Sequence, residues 1–369
     1  MHNLIRKALA LSAATVAAVG VAACSGGQGG ADTQIPSLAD GAPSTEQLDA
    51  PIDTSEVKKS LVVGVDNSHY IFHTDVVVAR ELGYFKEFGI DSVEVKTIDD
   101  PIPGLIGNSL DFINYDIDNI VASAAKSNTE LRVLAVTFGE EVATLGVRSG
   151  INSAEDLKGA TLSPGQFNSR HERNLRELLE SNGLDPDSDV KLVETGGNTN
   201  ERLQNIIGGV IDGGTVQPRH RSFLEASGGK FLFQVRRQVP QTGWAAGRIL
   251  VDSPETAPAF LAAVLKARQF TTDFANKERV LQIMSDNGFD IPQEYKDAFE
   301  EENAPTYHTI DGGFSVEDMD KFIEDAKDFD IMPADVDWKR WTDLIPLWRA
   351  QKAVGMQLRP SPSQFTAQQ

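Results

Sequence analysis

Short apolar runs alternate with amphipathic helical stretches between residues 60 and 137. The run Ser60-Leu61-Val62-Val63-Gly64-Val65 is β-branched and bounded by polar residues, which is typical of a buried parallel strand. The helical stretch that follows it ends at Gly83. Further strands are predicted at 93–95, 112–114 and 131–137, with helices at 103–110 and 117–125 between them. This alternation predicts an α/β protein built from parallel βαβ units, with its functional residues in the loops that follow the strands.

A short pattern, G-x-x-[LI]-D, occurs twice in the chain. It is found in Gly107-Asn108-Ser109-Leu110-Asp111 and again in Gly208-Gly209-Val210-Ile211-Asp212, each time between a predicted helix and a short strand. Two similar units predict two half-structures with a cleft between them.

The segment between the two units, residues 145–162, has the sequence LGVRSGINSAEDLKGATL. It resembles the crossing between the lobes of type II periplasmic binding proteins, in particular the receptors for nitrate, sulfonate, taurine and pyrimidine precursors of ABC importers. Asp156-Leu157-Lys158-Gly159 is the most specific part, and residues 78–85 (VARELGYF) are similar to a helix end of the same family. The resemblance covers residues 61–274 and, more loosely, the C-terminal helices. It implies two lobes, each a mostly parallel sheet flanked by helices, joined by two crossover strands.

The family fold implies a division of the whole chain. We expect lobe I at 58–146 plus 248–345, lobe II at 150–245 and a C-terminal extension at 346–369. The crossings are expected near 147–149 and 247–250, with Arg248-Ile249-Leu250-Val251 as the return strand.

The N-terminus has the order of a bacterial export signal. Arg6 and Lys7 precede an apolar stretch that ends before Cys24, and this stretch is too short to span a membrane comfortably. Val21-Ala22-Ala23-Cys24 resembles the lipobox of lipoproteins, in which the cysteine is lipidated and becomes the new N-terminus. Cys24 is the only cysteine in the chain. We therefore predict a signal peptide at 1–23 and an extracytoplasmic protein held at the cell membrane through Cys24 alone.

Composition limits the partners. Residues 24–57 are rich in Gly, Ser, Pro, Asp and Ala, which predicts a flexible tether. The 54 acidic and 34 basic side chains give a formal net charge of -20, which repels nucleic acid and anionic lipid. We expect a monomer that binds a small anionic or heterocyclic solute and delivers it to an ABC permease.

Candidate ligand-binding residues in lobe II follow its predicted strands. A Gly-containing loop that leads into a helix offers backbone amides to an anion, and the resembled family contacts its ligand at this position. Ser169 with Glu172 also fits a capping box, which would use those amides within the helix. Arg170 and Arg219 are expected either to pair with an acidic group of the ligand or to be solvated surface charges. The lobe II candidates are Gln166, Phe167, Asn168, Ser169, Arg170, Gln217 and Arg219.

The lobe I candidates follow the first and third strands. Asp116 or Asp118 is predicted to hold an amine or to cap a helix, and Trp244 to stack on a flat ligand or to close the core. The candidates here are Asn67, Ser68, His69, Tyr115, Asp116 and Trp244.

Catalysis and metal binding have little support in the sequence. His69 and His73 have the spacing of a metal pair, but no third ligand is suggested near them. The resembled superfamily includes a cofactor-dependent pyrimidine synthase, whose Cys- and His-bearing motif is absent from this sequence. We therefore expect a binding protein with no cofactor, and keep that enzyme and a ligand-sensing module without a permease as alternatives.

Overall fold

The strands of the computed structural model, which describes residues 35–66, 71–195 and 198–365, form one mixed sheet in the order β2-β1-β3-β8-β4-β7-β5-β6. β1 pairs in parallel with β2 and β3, and β5 pairs in parallel with β6 and β7. The α/β class and the parallel units are therefore confirmed. The strands are β1 (Ser60–Val65), β2 (Ser92–Thr97), β3 (Phe112–Asp116), β4 (Arg132–Val147), β5 (Thr161–Gly165), β6 (Lys191–Glu194), β7 (Gly213–Val216) and β8 (Lys230–Ala246).

Two long antiparallel strands connect the two ends of this sheet. β8 pairs with β3 through residues 242–246, and β4 pairs with β7 through residues 144–147. β4 and β8 also pair with each other along their length, with register shifts near Phe138. The chain therefore passes between the two parallel groups within β4 and β8.

Helices flank the sheet. The prediction of a return strand at Arg248-Ile249-Leu250-Val251 is wrong, because a helical turn begins at Ile249. The returning strand is β8. The helices are α1 (Thr45–Asp49), α2 (Ile71–Glu81), α3 (Tyr84–Glu87), α4 (Ile102–Ile106), α5 (Ile117–Ser127), α6 (Arg170–Glu180), α7 (Thr199–Ile207), α8 (Arg221–Ala226), α9 (Ile249–Asp252), α10 (Thr256–Thr272), α11 (Lys277–Asp286), α12 (Gln293–Glu302), α13 (Val316–Asp328) and α14 (Ile345–Ala353). Across the described residues, none of these helices has the length and hydropathy of a membrane span.

The buried apolar side chains divide along the sheet. One large cluster, here called the first core, joins β1–β3 with α10–α14. Two smaller clusters, together called the second core, lie around β5–β7 with α6 in one and α7 and α8 in the other. This division of the buried apolar side chains is the one that a two-lobed protein requires. The exact lobe boundaries stay a prediction.

The two G-x-x-[LI]-D units have the same hydrogen bonds. The Asp111 N–H donates to the Val62 carbonyl, and its carboxylate accepts from the Val62 N–H at 3.0 Å. Asp212 makes the same two bonds with Thr161, at 2.7 Å for the carboxylate. Both carboxylates also pair with a cation. Each unit fastens a helix end to the neighbouring parallel strand.

The predicted flexible tether is wrong for residues 35–57. Ile35, Leu38, Leu48 and Val57 are buried, because these few apolar side chains pack against the C-terminal helices although the segment as a whole is polar. Arg132 donates to the carbonyls of residues 35 and 36.

The predicted C-terminal extension also belongs to the fold. Leu347 and Trp348 on α14 are fully buried in the first core, and the Trp348 indole donates to the Pro360 carbonyl at 2.7 Å. The core therefore continues past residue 345, since two large apolar side chains of α14 fill it.

Candidate ligand-binding site

The carboxyl ends of the parallel strands carry the predicted site residues. β3 ends with Tyr115 and Asp116, and the loop after β5 leads to Arg170 at the start of α6. Asn67, Ser68 and His69, predicted after β1, lie outside the described residues, as does Cys24. The geometry of the site is therefore derived from the other strand ends.

Arg170 links the two parallel groups. Its guanidinium lies 3.2 Å from the Asp116 carboxylate, 3.7 Å from that of Asp118 and 3.2 Å from that of Glu141. The side chain is 7% exposed, so it is not a solvated surface charge. Asp116 occupies the N-cap position of α5, but its side chain makes no capping bond and pairs with Arg170 instead.

Glu141 lies at the centre of this cluster, on the part of β4 that passes between the two groups. It accepts from Asn174 at 2.7 Å and from Arg237 at 2.9 Å, and Arg173 lies 3.6 Å away. Burial alone would raise the pKa of Glu141, but Arg170 and Arg237 hold it below its ordinary value. Glu141 therefore fixes arginines from both α6 and β8.

The wall formed by β3 and α5 is acidic. Burial raises the pKa of Asp118 to about 6, an effect that Arg170 opposes and the neighbouring Asp116 reinforces. Burial also raises the pKa of Tyr115, and the carboxylates of Asp116, Asp100 and Asp66 add to this effect. Charge in this part of the site is thus balanced mainly by Arg170.

The loop before α6 uses its amides internally. The Ser169 hydroxyl accepts from the Glu172 N–H at 3.3 Å, while the Glu172 carboxylate accepts from the Asn168 N–H at 2.7 Å. The Phe167 N–H donates to Glu194 at 2.7 Å, and the Gln166 carbonyl accepts from the Ser169 hydroxyl. The structure therefore favours the capping alternative for these amides.

Phe167 and Asn168 line a cavity of about 510 Å³ between α6 and β6, together with Glu172 and Arg176. Asp116 and Arg170 are not among the residues that line this cavity. The contribution of Phe167 and Asn168 to a site shared with Arg170 remains a prediction without support from this geometry.

Arg219 makes a second contact between the groups. It is buried after β7, lies 3.7 Å from Glu302 of α12 and stands over the Tyr295 ring at 5.8 Å. Gln217 is half-buried beside it, and its N–H donates to His220 at 3.3 Å.

Trp244 belongs to the first core. It pairs with Asn114 and Ala135 at the centre of the sheet and meets the Phe260 ring edge-on at 5.0 Å. With 2% of its surface exposed, Trp244 closes the core, so the alternative of stacking on a flat ligand is wrong for this conformation.

Ion pairs separate the first core from the second. Two of them are described above, Arg170 with Asp116 and Arg219 with Glu302. Arg173 also pairs with Asp325 of α13 at 3.7 Å, and Arg236 pairs with Glu301. We call these four contacts the ion-pair layer. In each of them the arginine comes from α6, β8 or the turn after β7, and the carboxylate from β3, α12 or α13.

Sequence reasoning missed Glu141, Asn174 and Arg237. Glu141 and Arg237 lie inside long strands, whereas the sequence analysis considered only the loops after strands. The charged residues Glu140 and Glu141 within an otherwise apolar stretch could have indicated this position. No cluster of three potential metal ligands occurs among the described side chains, which do not include His69 and His73.

A family model described as NMT1/THI5 like matches residues 71–274, more than half of the chain. No curated protein matches it in sequence.

Solved structures share the fold. The periplasmic nitrate-binding protein NrtA of Synechocystis PCC 6803 is 16% identical, with 84% of this chain and 91% of that chain covered and a TM-score of 0.60. The periplasmic aliphatic sulphonate binding protein SsuA of Escherichia coli is 17% identical, with 78% and 92% covered and a TM-score of 0.58. The desulfurization enzyme DSZB is 14% identical, with 80% and 99% covered and a TM-score of 0.58. At these identities the likeness establishes the periplasmic-binding-protein fold.

Proposed function

Since this chain belongs to the NMT1/THI5-like family, we propose that it is the extracytoplasmic solute-binding component of an ABC importer. The observation that carries the proposal is the ion-pair layer. Arg170 extends from the start of α6 to the carboxylates at the end of β3, so predicted residues from both parallel groups meet at the strand ends. Open parallel sheets bind their ligands at this edge.

Hinge closure is the proposed mechanism. β4 and β8 are the strands that cross between the two groups, and their register shifts near Phe138 interrupt regular pairing there. In an open form the polar groups at the strand ends are accessible, and a bound solute adds contacts to both sides. The closed form is then the one that a membrane permease recognises.

The proposed solute is a small organic molecule with acidic or heterocyclic groups. Arg170 and Arg173 each have buried guanidinium N–H groups without a well-aligned hydrogen bond to a described residue, although Glu141 lies 3.2 Å from Arg170 and 3.6 Å from Arg173. Half-buried Tyr115 and Gln217 supply a hydroxyl and an amide at the same edge. These groups provide hydrogen bonds that orient a ligand within a pocket.

A ligand screen tests the binding function. Thermal unfolding is followed in the presence of organic acids and heterocycles, because a ligand that binds only the folded state raises the unfolding temperature. With a ligand in hand, Tyr115→Phe and Gln217→Ala should each weaken binding by roughly tenfold to a hundredfold, measured by calorimetry. Lys296→Ala, on α12, is the control. Binding by both variants at the affinity of the control would place the site elsewhere.

Membrane attachment through Cys24 is a further part of the proposal. It is supported by the lipobox-like Val21-Ala22-Ala23-Cys24 and by the absence of any other cysteine. In cells, Cys24→Ala should move the protein from the membrane fraction to the soluble fraction. A variant that stays in the membrane fraction after a high-salt wash would contradict the anchor.

An enzyme of the same fold is the second candidate. The likeness to the desulfurization enzyme DSZB supports it, although only at the level of the fold. A solute recovered chemically unchanged after prolonged incubation with the protein favours the binding function, whereas a changed solute favours the enzyme.

A further inference from the structure

Arg202 on α7 is a deeply buried arginine without a counter-ion among the described residues. Only 1% of its surface is exposed. Its Nε donates to the Thr215 carbonyl at 2.6 Å, while its Nη2 has no hydrogen-bond partner in the described part of the chain. Burial lowers the pKa of Arg202 to about 10, since no nearby carboxylate offsets the loss of hydration.

A comparison with Arg132 shows why this is unusual. Arg132 is equally buried, but it donates to three backbone carbonyls and pairs with Glu130 at 2.7 Å. Arg268, which is 2% exposed, pairs with Asp75 at 3.2 Å. Burying a charge without a partner is strongly unfavourable, so a buried arginine normally pairs with a carboxylate or donates to other acceptors. Arg202 therefore lacks, among the described residues, the carboxylate partner that Arg132 and Arg268 have.

Arg202 lies at the edge where a ligand of this sheet would bind. Its guanidinium fits beside Gly165, the last residue of β5, where a Cβ would overlap Nη1. Its aliphatic part packs over Gly214 of β7, where a Cβ would lie 3.1 Å from Cδ. The two glycines therefore form a slot that holds this side chain across the ends of β5 and β7.

Three hydroxyl groups lie near the ends of β5, β6 and β7, close to the slot that holds Arg202. The Ser163 and Thr195 hydroxyls are hydrogen-bonded at 2.9 Å, and that of Thr215 reaches the Pro164 carbonyl at 3.4 Å. Within the Ser163–Thr195 pair one hydroxyl donates to the other, so one proton remains for an acidic group. An uncharged donor suits such a group, because it adds a hydrogen bond without competing for the positive charge.

We propose that Arg202 is the subsite for an acidic group of the solute, which is therefore an organic anion carrying a carboxylate, a sulfonate or a phosphate. This inference rests on the proposed binding function and specifies the ligand class for it. The acidic group supplies the missing acceptor for Nη2 and the missing counter-charge.

The test compares two arginine variants by thermal unfolding. The wild type, Arg202→Met and Arg132→Met are titrated with sodium acetate, methanesulfonate or phosphate, with sodium chloride keeping the ionic strength constant. Excluded salts such as phosphate stabilise all proteins to some degree, so the readout is the difference between wild type and variant. The three anions distinguish the carboxylate, the sulfonate and the phosphate.

The expected result is a stabilisation of the wild type by at least one anion that Arg202→Met loses. The apparent affinity should fall by about tenfold to a hundredfold, as for a lost hydrogen bond to a charged group. Arg132→Met should lower the unfolding temperature while keeping the response to anions, because its arginine is paired within the fold. Arg202→Met should lower the unfolding temperature less, since it also removes an uncompensated charge.

Two outcomes would overturn the proposal. One is an anion response of Arg202→Met equal to that of the wild type. The other is a neutral or cationic solute that binds wild type and Arg202→Met equally, which would leave the proposed binding function intact. A wild type that binds no solute of any class would instead count against the binding function itself.

Discussion

The buried arginines of this protein differ mainly in whether carboxylates of the same chain lie close enough to neutralise their charge. Arg170 is surrounded by three carboxylates, whereas Arg202 has none in the part of the chain that the structure describes. The sequence could predict Arg170 and Asp116, because both follow strands. It could not predict Glu141, since its partners come from α6 and β8, far away in the chain.

Asp118 gives a prediction at the residue scale. Its pKa is about 6 in the folded protein, against about 4 in an unfolded chain. The folded state therefore holds this proton more tightly, and the contribution of Asp118 to the free energy of unfolding falls as pH rises from about 4 to about 6. Asp118→Asn removes the titration. Between pH 4.5 and 7 the free energy of unfolding of the variant should rise relative to that of the wild type by roughly 2 kcal/mol, measured by urea unfolding.

Asp335→Asn, which removes an exposed carboxylate, is measured in parallel as the control. A difference between Asp118→Asn and the wild type that stays constant over this pH range would show that Asp118 does not hold its proton in the fold.

Secondary-structure elements were predictable where their apolar pattern is uninterrupted. β1 and β3 follow apolar runs, and both were predicted. β4 and β8 extend further than the sequence indicates, because charged residues such as Glu141 and Arg237 interrupt the pattern where the strands leave the apolar cores. α1 is short and polar and was predicted as tether, since its stability comes from burying Leu48 against a distant helix.

The two G-x-x-[LI]-D units lead to a prediction about how strongly each helix end is held to its neighbouring strand. Asp111→Ala and Asp212→Ala each remove a bond to a strand N–H and an ion pair. Each should lower the free energy of unfolding by about 1–3 kcal/mol, and by similar amounts, in urea unfolding. Asp252→Ala, which removes only the exposed pair with Arg248, should cost less than about 1 kcal/mol. A large loss of unfolding free energy for one of these two variants and none for the other would contradict the equivalence of the two units.

For the whole molecule, the notable feature is that charge separates two apolar cores. Apolar contacts would hold the cores together whatever the ligand, whereas ion pairs can exchange partners. The sequence predicts the two halves through the repeated units, but it does not show that arginines lie on one side and carboxylates on the other, because that depends on packing.

The ion-pair layer leads to a prediction about how closely the first core and the second core approach each other. The double variant Asp116→Asn with Asp325→Asn removes carboxylates on the first-core side, while Arg170 and Arg173 keep Glu141 as a partner. We expect a larger radius of gyration without ligand, measured by small-angle X-ray scattering. Glu177→Gln with Asp187→Asn, which affects pairs away from the layer, should scatter like the wild type. Identical curves for both double variants would contradict a role of the layer in closure.

The packing of residues 35–57 against the C-terminal helices limits how far the protein can move from a membrane. With Cys24 as the anchored residue, as proposed, only residues 25–34 separate the lipid from the folded part, and ten residues span at most about 36 Å. An anchor at this distance confines the protein to a thin layer at the membrane surface, which raises its local concentration around partners in the same membrane. In the proposed import function, a permease would therefore need only weak affinity for this protein, and weak contacts would release quickly enough for one anchored copy to deliver many solute molecules.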